Sequence, residues 1–308
     1  MLLDKAKFEE RDFKNTYTEI FAQADTWLEV YKLYEERKDD IENFLERIGN
    51  DVKVIFTGAG TSEYVGNIAT DYLKTHGDFE FESIATTDLV SAPYLHFEKD
   101  RKTILVSFAR SGNSPESIAA VKLGQEIVDD FYNLPITCAK DGKLALNFAE
   151  DTKSYVFLNP EHTNDKGFAM TNSFTSMLLA SLLIFDTKTE NKEEIVNKIS
   201  KIAQKIYKRS NEIEKLVNFD FNRVVYLGSG PLGKLTKEAR LKILELTAGK
   251  VATIWDSSMG FRHGPKSFID DKTLIVSFIS SNSYTKAYDL DILDEIKDCL
   301  LYTSPSPR

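Results

Sequence analysis

Cysteine is scarce in this chain, with two among 308 residues, and Cys138 and Cys299 show no metal or redox spacing. That excludes a disulfide scaffold and a thiolate cluster, and each cysteine reads as a small apolar filler. Basic charge is also short: 39 Lys and Arg against 48 Asp and Glu leave a net charge of −9. A nucleic-acid partner, whose phosphates need a basic footprint, is not expected. A small anion is still admitted, because backbone N–H groups hold phosphate whatever the global charge. The longest clean apolar run, Met177 to Phe185, is too short to cross a bilayer, and Met1 to Arg11 is charged without an apolar stretch. No membrane partner follows, and a cytoplasmic location is expected. Four histidines, His76, His96, His162 and His263, share no ligand spacing, so neither a metal nor a cofactor is expected.

What is present is a core-forming chain that repeats itself. With 42% apolar and 11% aromatic residues, its length suggests about two domains. The run Val54-Ile55-Phe56-Thr57-Gly58-Ala59-Gly60 returns as Val224-Val225-Tyr226-Leu227-Gly228-Ser229-Gly230, and Thr103 to Phe108 returns as Thr273 to Phe278. The differences 224 less 54 and 273 less 103 both give 170, so a duplicated module is expected.

Residues 1 to 48 carry helical spacing and read as a helical segment packed on the first module, which is placed at 49–200. Five β-rich runs follow, near Val52 to Thr57, Phe79 to Ala85, Thr103 to Phe108, Leu134 to Ala139 and Ser154 to Leu158. Their alternation with helical stretches predicts a parallel sheet covered on both faces. Residues 174 to 217 read as two helices. The second module, 210–308, shows counterparts of the first three strands only, near Arg223 to Leu227, Val251 to Trp255 and Thr273 to Phe278. From Asp298 to Arg308 neither helix nor strand is predicted, and the Leu-Tyr-Thr-Ser-Pro-Ser-Pro-Arg ending looks like read-through into a sequencing adapter. The native chain is therefore expected to continue past about residue 298.

In an open parallel sheet, ligands sit beyond the carboxyl ends of the strands. The candidate loops are Gly58-Ala59-Gly60-Thr61-Ser62-Glu63 and Ala109-Arg110-Ser111-Gly112-Asn113-Ser114-Pro115-Glu116. Ser114-Pro115 reads as a helix cap and first turn, and a helix start there aims N–H groups at an anion. Capping alone would also explain Ser114. The first loop is a poor dinucleotide fingerprint, because Glu63 stands where its third glycine belongs. The matching loops of the second module have drifted to Pro231-Leu232-Gly233 and Ser280-Ser281-Asn282-Ser283, which makes the first module the better phosphate holder.

Between Lys234 and Ala248, Glu238, Lys242 and Glu245 lie within about 60° on a helical wheel. Such stripes are ordinarily solvated ion pairs, but apolar residues flank this one on both sides, with Thr236, Arg240 and Thr247 opposite. It is expected to face a cleft, where a carboxylate could move a proton between adjacent sugar carbons. In Gly260-Phe261-Arg262-His263-Gly264-Pro265, the histidine between an arginine and a Gly-Pro turn reads as a presented acid or base. Glu161-His162 and Asp165-Lys166 are weaker candidates, better explained as a charged loop before a helix.

These residues resemble the sugar isomerase (SIS) domain family, a duplicated five-stranded α/β module that binds phosphosugars. The tracts Ser107 to Ser117, Phe168 to Thr175, Leu244 to Gly249 and Gly260 to Pro265 resemble its galactosamine-6-phosphate deaminase/isomerase branch, also described as tagatose-6-phosphate ketose/aldose isomerase. The resemblance implies two tandem SIS modules, the second lacking its C-terminal part. It implies a sugar-phosphate substrate held by Gly60, Thr61, Ser62, Arg110, Ser111, Gly112 and Ser114. It further implies Glu245 as the base that shuttles the C1/C2 proton, with Glu238 and Lys242 in support. His263 would assist ring opening, and in the isomerase half of glucosamine-6-phosphate synthase the like histidine commonly comes from a neighbouring subunit. A homo-oligomer with a shared active site follows. That cousin has a serine where Ala109 stands, with Arg110 here supplying charge, and its missing-tail counterpart carries a lysine and a closing loop. The implied reaction converts galactosamine 6-phosphate and water to tagatose 6-phosphate and ammonia. Plain aldose/ketose isomerisation and a non-catalytic phosphosugar regulator are the alternatives.

Overall fold

A computed structural model describes residues 14–301, so the readings of Met1 to Arg11 and of the Tyr302 to Arg308 ending lie outside the described residues. The chain forms two compact units that meet at Lys215 and Leu216 in the sequence. In the first, helices α1 (Lys14–Glu36) and α2 (Lys38–Ile48) precede β1 (Lys53–Gly58), α3 (Thr61–His76), β2 (Glu80–Ala85) and α4 (Thr86–Ser91). Then come β3 (Thr103–Ala109), α5 (Pro115–Ile127), β4 (Phe131–Asn133), β5 (Ile136–Thr137), α6 (Lys143–Leu146), β6 (Phe157–Leu158), α7 (Asn172–Phe185), α8 (Lys192–Tyr207) and α9 (Ser210–Val217).

The sheet is parallel, in the order β2-β1-β3-β5-β6, with β4 also on β3. Its strands are apolar on both faces because both are covered. Ile55 and Leu105 point into a cluster with Ala120, Val121, Phe131 and Leu144. On the other face Phe56 stacks on Phe81 at 5.7 Å and meets Phe108 and Phe185, each at 5.5 Å. Helix α3 approaches this face so closely that a Cβ on Gly66 would stand 2.9 Å from that of Phe56.

Three sequence expectations change. The fourth strand, expected over Leu134 to Ala139, is two short pieces on either side of Leu134-Pro135. Pro135 has no N–H to give the ladder, so β4 pairs with the start of β3 and β5 with its end. The fifth strand shrinks to Phe157–Leu158, with one isolated bridge at Ser154. Residues 174 to 217, expected as two helices, fall in three, because the lysine- and glutamate-rich stretch breaks at Lys208 and Arg209, where Arg209 N–H donates to Ile206 O at 2.9 Å in a tighter turn.

The second unit contains β7 (Arg223–Gly228), α10 (Pro231–Leu246), β8 (Ala252–Ser257), β9 (Thr273–Phe278) and α11 (Ser283–Leu301). Its parallel sheet runs β8-β7-β9, repeating the β2-β1-β3 order, and α10 starts 170 positions after α3. Val225, Leu227, Phe261, Ile292 and Ile296 form its core. Helix α11 continues to Leu301, past the point where the sequence pattern fades, because the Ile292 and Ile296 turns pack on this sheet. No described helix is long and apolar enough to cross a membrane.

Candidate functional site

The two candidate loops of the first unit leave the carboxyl ends of β1 and β3, which are neighbours with Thr57 opposite Ser107. Gly58 touches the first turn of α3 so tightly that a Cβ would meet the Ser62 carbonyl carbon at 2.5 Å. Gly60 turns the chain into the helix at φ 58°, which favours glycine, and is exposed. Thr61 and Ser62 lie back in the fold, 4% and 7% exposed. The first loop therefore presents backbone, while its hydroxyls face inward.

The second loop presents more side chain. Ser111 is exposed, Gly112 turns at φ 65°, and Ser114 Oγ accepts the Ser117 N–H at 3.3 Å while bonding Ser117 Oγ at 2.6 Å. Ser114 is thus a true cap, and the start of α5 with its N–H groups and positive dipole end is still directed to the strand ends. Residues 142–144 brace the loop: Leu144 N–H donates to Gly112 O at 3.0 Å and Lys143 N–H to Asn113 Oδ1 at 3.1 Å. A loop held in this way would lose little freedom on docking an anion.

Arg110 supplies the positive charge, with its Nη1 donating to Gly167 O at 3.1 Å. Sequence reasoning missed what holds Gly167. Glu19, on α1, accepts the N–H groups of Lys166 at 2.6 Å and Gly167 at 3.0 Å. Asp165, read as part of a charged loop, is buried and accepts the N–H groups of Thr171, Asn172 and Ser173 at 2.9, 3.2 and 2.9 Å. It is the cap of α7, reached from seven residues upstream of the helix, and no local capping pattern announces it. The neighbouring pair also has structural partners: Glu161 meets Lys140 at 3.0 Å and His162 bonds Thr26 at 3.0 Å. Cys138 is fully buried, and burial pushes its thiol up to about 12, which removes it as a nucleophile.

A groove of about 640 Å³ lined by Tyr31, Glu35, Glu42, Asn50, Glu190 and Lys192 also lies on this unit. Asn50 precedes β1, so the groove lies toward the amino ends of the strands, and its acidic lining has the wrong sign for phosphate.

In the second unit the helical stripe assembles as expected from its spacing. Lys242 Nζ lies 3.1 Å from Glu238 and 2.9 Å from Glu245. The side chains of Glu238, Lys242 and Glu245 are 5%, 19% and 26% exposed, so Glu245 is the carboxylate solvent or a ligand can reach most easily. One neighbour departs from expectation: Thr236, placed among the outward polar residues, is buried, with its hydroxyl on Gly233 O at 2.5 Å.

His263 is exposed between two 3₁₀ turns, Gly260–Arg262 and Pro265–Phe268, and Gly264 follows at φ 125°, a glycine conformation. Its neighbours are anchored while it is not buried. Phe261 is in the core, and Arg262 pairs with Asp291 at 2.5 Å and Glu295 at 2.9 Å. Lys266 also pairs with Glu295. Deeper in this unit, Asp289 of α11 accepts Ser229 Oγ at 2.5 Å, Ser258 Oγ at 2.5 Å and Ser280 N–H at 2.9 Å. Those three residues follow β7, β8 and β9, so a buried carboxylate ties together all three strand ends.

The SIS domain model matches residues 48–186. The chain is 40% identical to D-galactosamine-6-phosphate deaminase AgaS of Escherichia coli, across 92% of this chain and 74% of that protein. It is 41% identical to the AgaS deaminase of Shewanella sp., across 92% of this chain and 73% of that one. The crystal structure of tagatose-6-phosphate ketose/aldose isomerase from Escherichia coli superposes with a TM-score of 0.88 at 40% identity, covering 92% of this chain and 77% of that one. The parallel sheet, its strand-end loops and these likenesses together make the chain a member of the SIS domain family, in the galactosamine-6-phosphate deaminase and tagatose-6-phosphate ketose/aldose isomerase branch.

Proposed function

We propose that this chain converts galactosamine 6-phosphate and water to tagatose 6-phosphate and ammonia. The 40% identity to a D-galactosamine-6-phosphate deaminase over 92% of the chain carries the reading. Gly60, Ser111, Gly112 and Ser114 offer the phosphate backbone N–H groups, a hydroxyl and a helix start, and Arg110 offers charge, with Thr61 and Ser62 shaping the first turn from within. His263 assists ring opening to the C1 aldehyde. Glu245 takes the C2 proton to give an enolamine and returns a proton to C1, which leaves an imine at C2. Water adds at C2 and ammonia leaves, so the ketose forms with atoms balanced. Lys242 holds Glu245 in place, and the more deeply buried Glu238 holds Lys242.

The three strands of the second unit repeat the β2-β1-β3 order, which supports reading it as a second SIS module. Ammonia release decides the substrate. Release from galactosamine 6-phosphate and none from glucosamine 6-phosphate is the expected result. Interconversion of a neutral aldose and ketose phosphate without ammonia would instead favour plain isomerisation, the activity named for the related crystal structure.

The exposed His263 suits a group that serves a neighbouring subunit, as the family resemblance implies. In a two-fold oligomer, Glu245→Gln and His263→Ala chains then restore activity when mixed after separate purification, since each mixed pair has one site with both groups intact. Mixed chains as inactive as their parents would place both groups in one subunit's site.

A further inference from the structure

Glu19 precedes the region matched by the family model, which starts at residue 48, and belongs to none of the strand-end loops. The residue is nevertheless only 9% exposed, and its carboxylate is spent on two consecutive backbone N–H groups, those of Lys166 and Gly167. The carbonyl of that same Gly167 receives Arg110 Nη1. A side chain at position 167 would displace Glu19: a Cβ would stand 2.6 Å from Glu19 Oε2 and 2.7 Å from Thr16 Oγ1. The chain must come this close to α1 for the carboxylate to reach both amides.

An ionised acceptor makes a hydrogen bond roughly twice as strong as a neutral one, and linked bonds in a low-dielectric setting polarise one another. With the peptide before Gly167 held by Glu19, and Asp165 gripping Thr171 to Ser173 further on, the Gly167 carbonyl has a fixed direction. Arg110 has five N–H donors on a planar fork, so one bond to a fixed carbonyl orients the others. A guanidinium that is oriented beforehand binds an anion without ordering cost.

We infer that Glu19 is a positioning residue for the substrate phosphate, acting through Gly167 to aim Arg110 at the anion held by the β1 and β3 loops. This rests on Arg110 being a phosphate ligand, as proposed above.

The test is a double-mutant cycle in the full chain, reading KM and kcat for the phosphosugar and the inhibition constant of inorganic phosphate. Glu19→Gln keeps the shape and removes the charge. It should raise KM and the phosphate inhibition constant together by about tenfold, with kcat changed less than about threefold. Arg110→Ala should weaken phosphate at least as much, and the double variant should be no worse than Arg110→Ala alone. Independent, additive losses, or no effect of Glu19→Gln, would overturn the role of Glu19 while leaving Arg110 as ligand. An Arg110→Ala variant that phosphate inhibits as it does the unmodified protein would overturn both. A structural role alone would lower the melting temperature without this pattern. If Glu19→Gln gives too little folded protein for kinetics, the rise in melting temperature caused by excess inorganic phosphate reads the same coupling: it should be smaller than in the unmodified chain, and an equal rise would reject the proposal.

Discussion

Replacing Glu245 by Gln is expected to abolish turnover of galactosamine 6-phosphate while leaving its binding nearly intact, if Glu245 is the base proposed above. The amide has the size of the carboxylate but cannot accept the C2 proton, and loss of a general base lowers rates by about 10²- to 10⁴-fold. The surroundings survive the change. Lys242, 2.9 Å from Glu245, remains paired with Glu238 at 3.1 Å, so the ammonium is not left buried without a carboxylate. The strand-end loops of the first unit are untouched. Ammonia release measures kcat, and calorimetric titration of the inactive variant with the same sugar measures affinity. Turnover above about a tenth of the unmodified rate would reject Glu245 as the base. Glu238→Gln should behave differently, because its side chain is the more buried of the two: stability falls along with rate.

Asp289→Ala is expected to be the most destabilising single change in the second unit. The Asp289 carboxylate is fully buried and receives two hydroxyls and one backbone N–H from the ends of three strands. Ser229 and Ser258 can turn their hydroxyls elsewhere, but the Ser280 amide cannot rotate to a new acceptor. The loss comes to about 1–3 kcal/mol, the range for leaving a buried donor without its acceptor. The second unit should melt several degrees lower, and kcat should fall with it, because the segment presenting His263 is anchored to α11 at Ser258, Phe261 and Arg262. Asp289→Asn, which keeps one acceptor oxygen, should fall between the two. An Asp289→Ala chain that melts like the unmodified one would show that the strand ends are held by something else.

Asp289 also sets the strand-end loops of the second unit apart from those of the first. Ser229 and Ser280 lie 170 positions after Ala59 and Arg110, in the matching strand-end loops of the first unit. In the second unit those places are taken by an internal carboxylate, and the corresponding position of the first unit is Ala119, which carries no charge.

Much of this was readable from the sequence, and for a local reason. Strands β1, β3, β7 and β9 announce themselves by apolar runs followed by glycine or serine loops, and their 170-residue offset survives as matched strand order in the two sheets. The Glu238–Lys242–Glu245 group was readable because helical spacing alone brings its members to one face. The broken fourth strand was harder: Pro135 interrupts a run whose apolar character is continuous on both sides. The continuation of α11 to Leu301 was also hidden, because the packing of Ile292 and Ile296 decides it rather than the residues at its end.

By itself the sequence determined the α/β class, the strand-end loops and the charged helical stripe, all of which depend on neighbours within a few residues. Only the tertiary structure decided which residues serve those loops from elsewhere. Glu19 meets Lys166 across 147 positions, Arg110 meets Gly167 across 57, and Ser229 meets Asp289 across 60. A buried carboxylate must find donors wherever the fold delivers them, and no periodicity in the chain encodes where that will be.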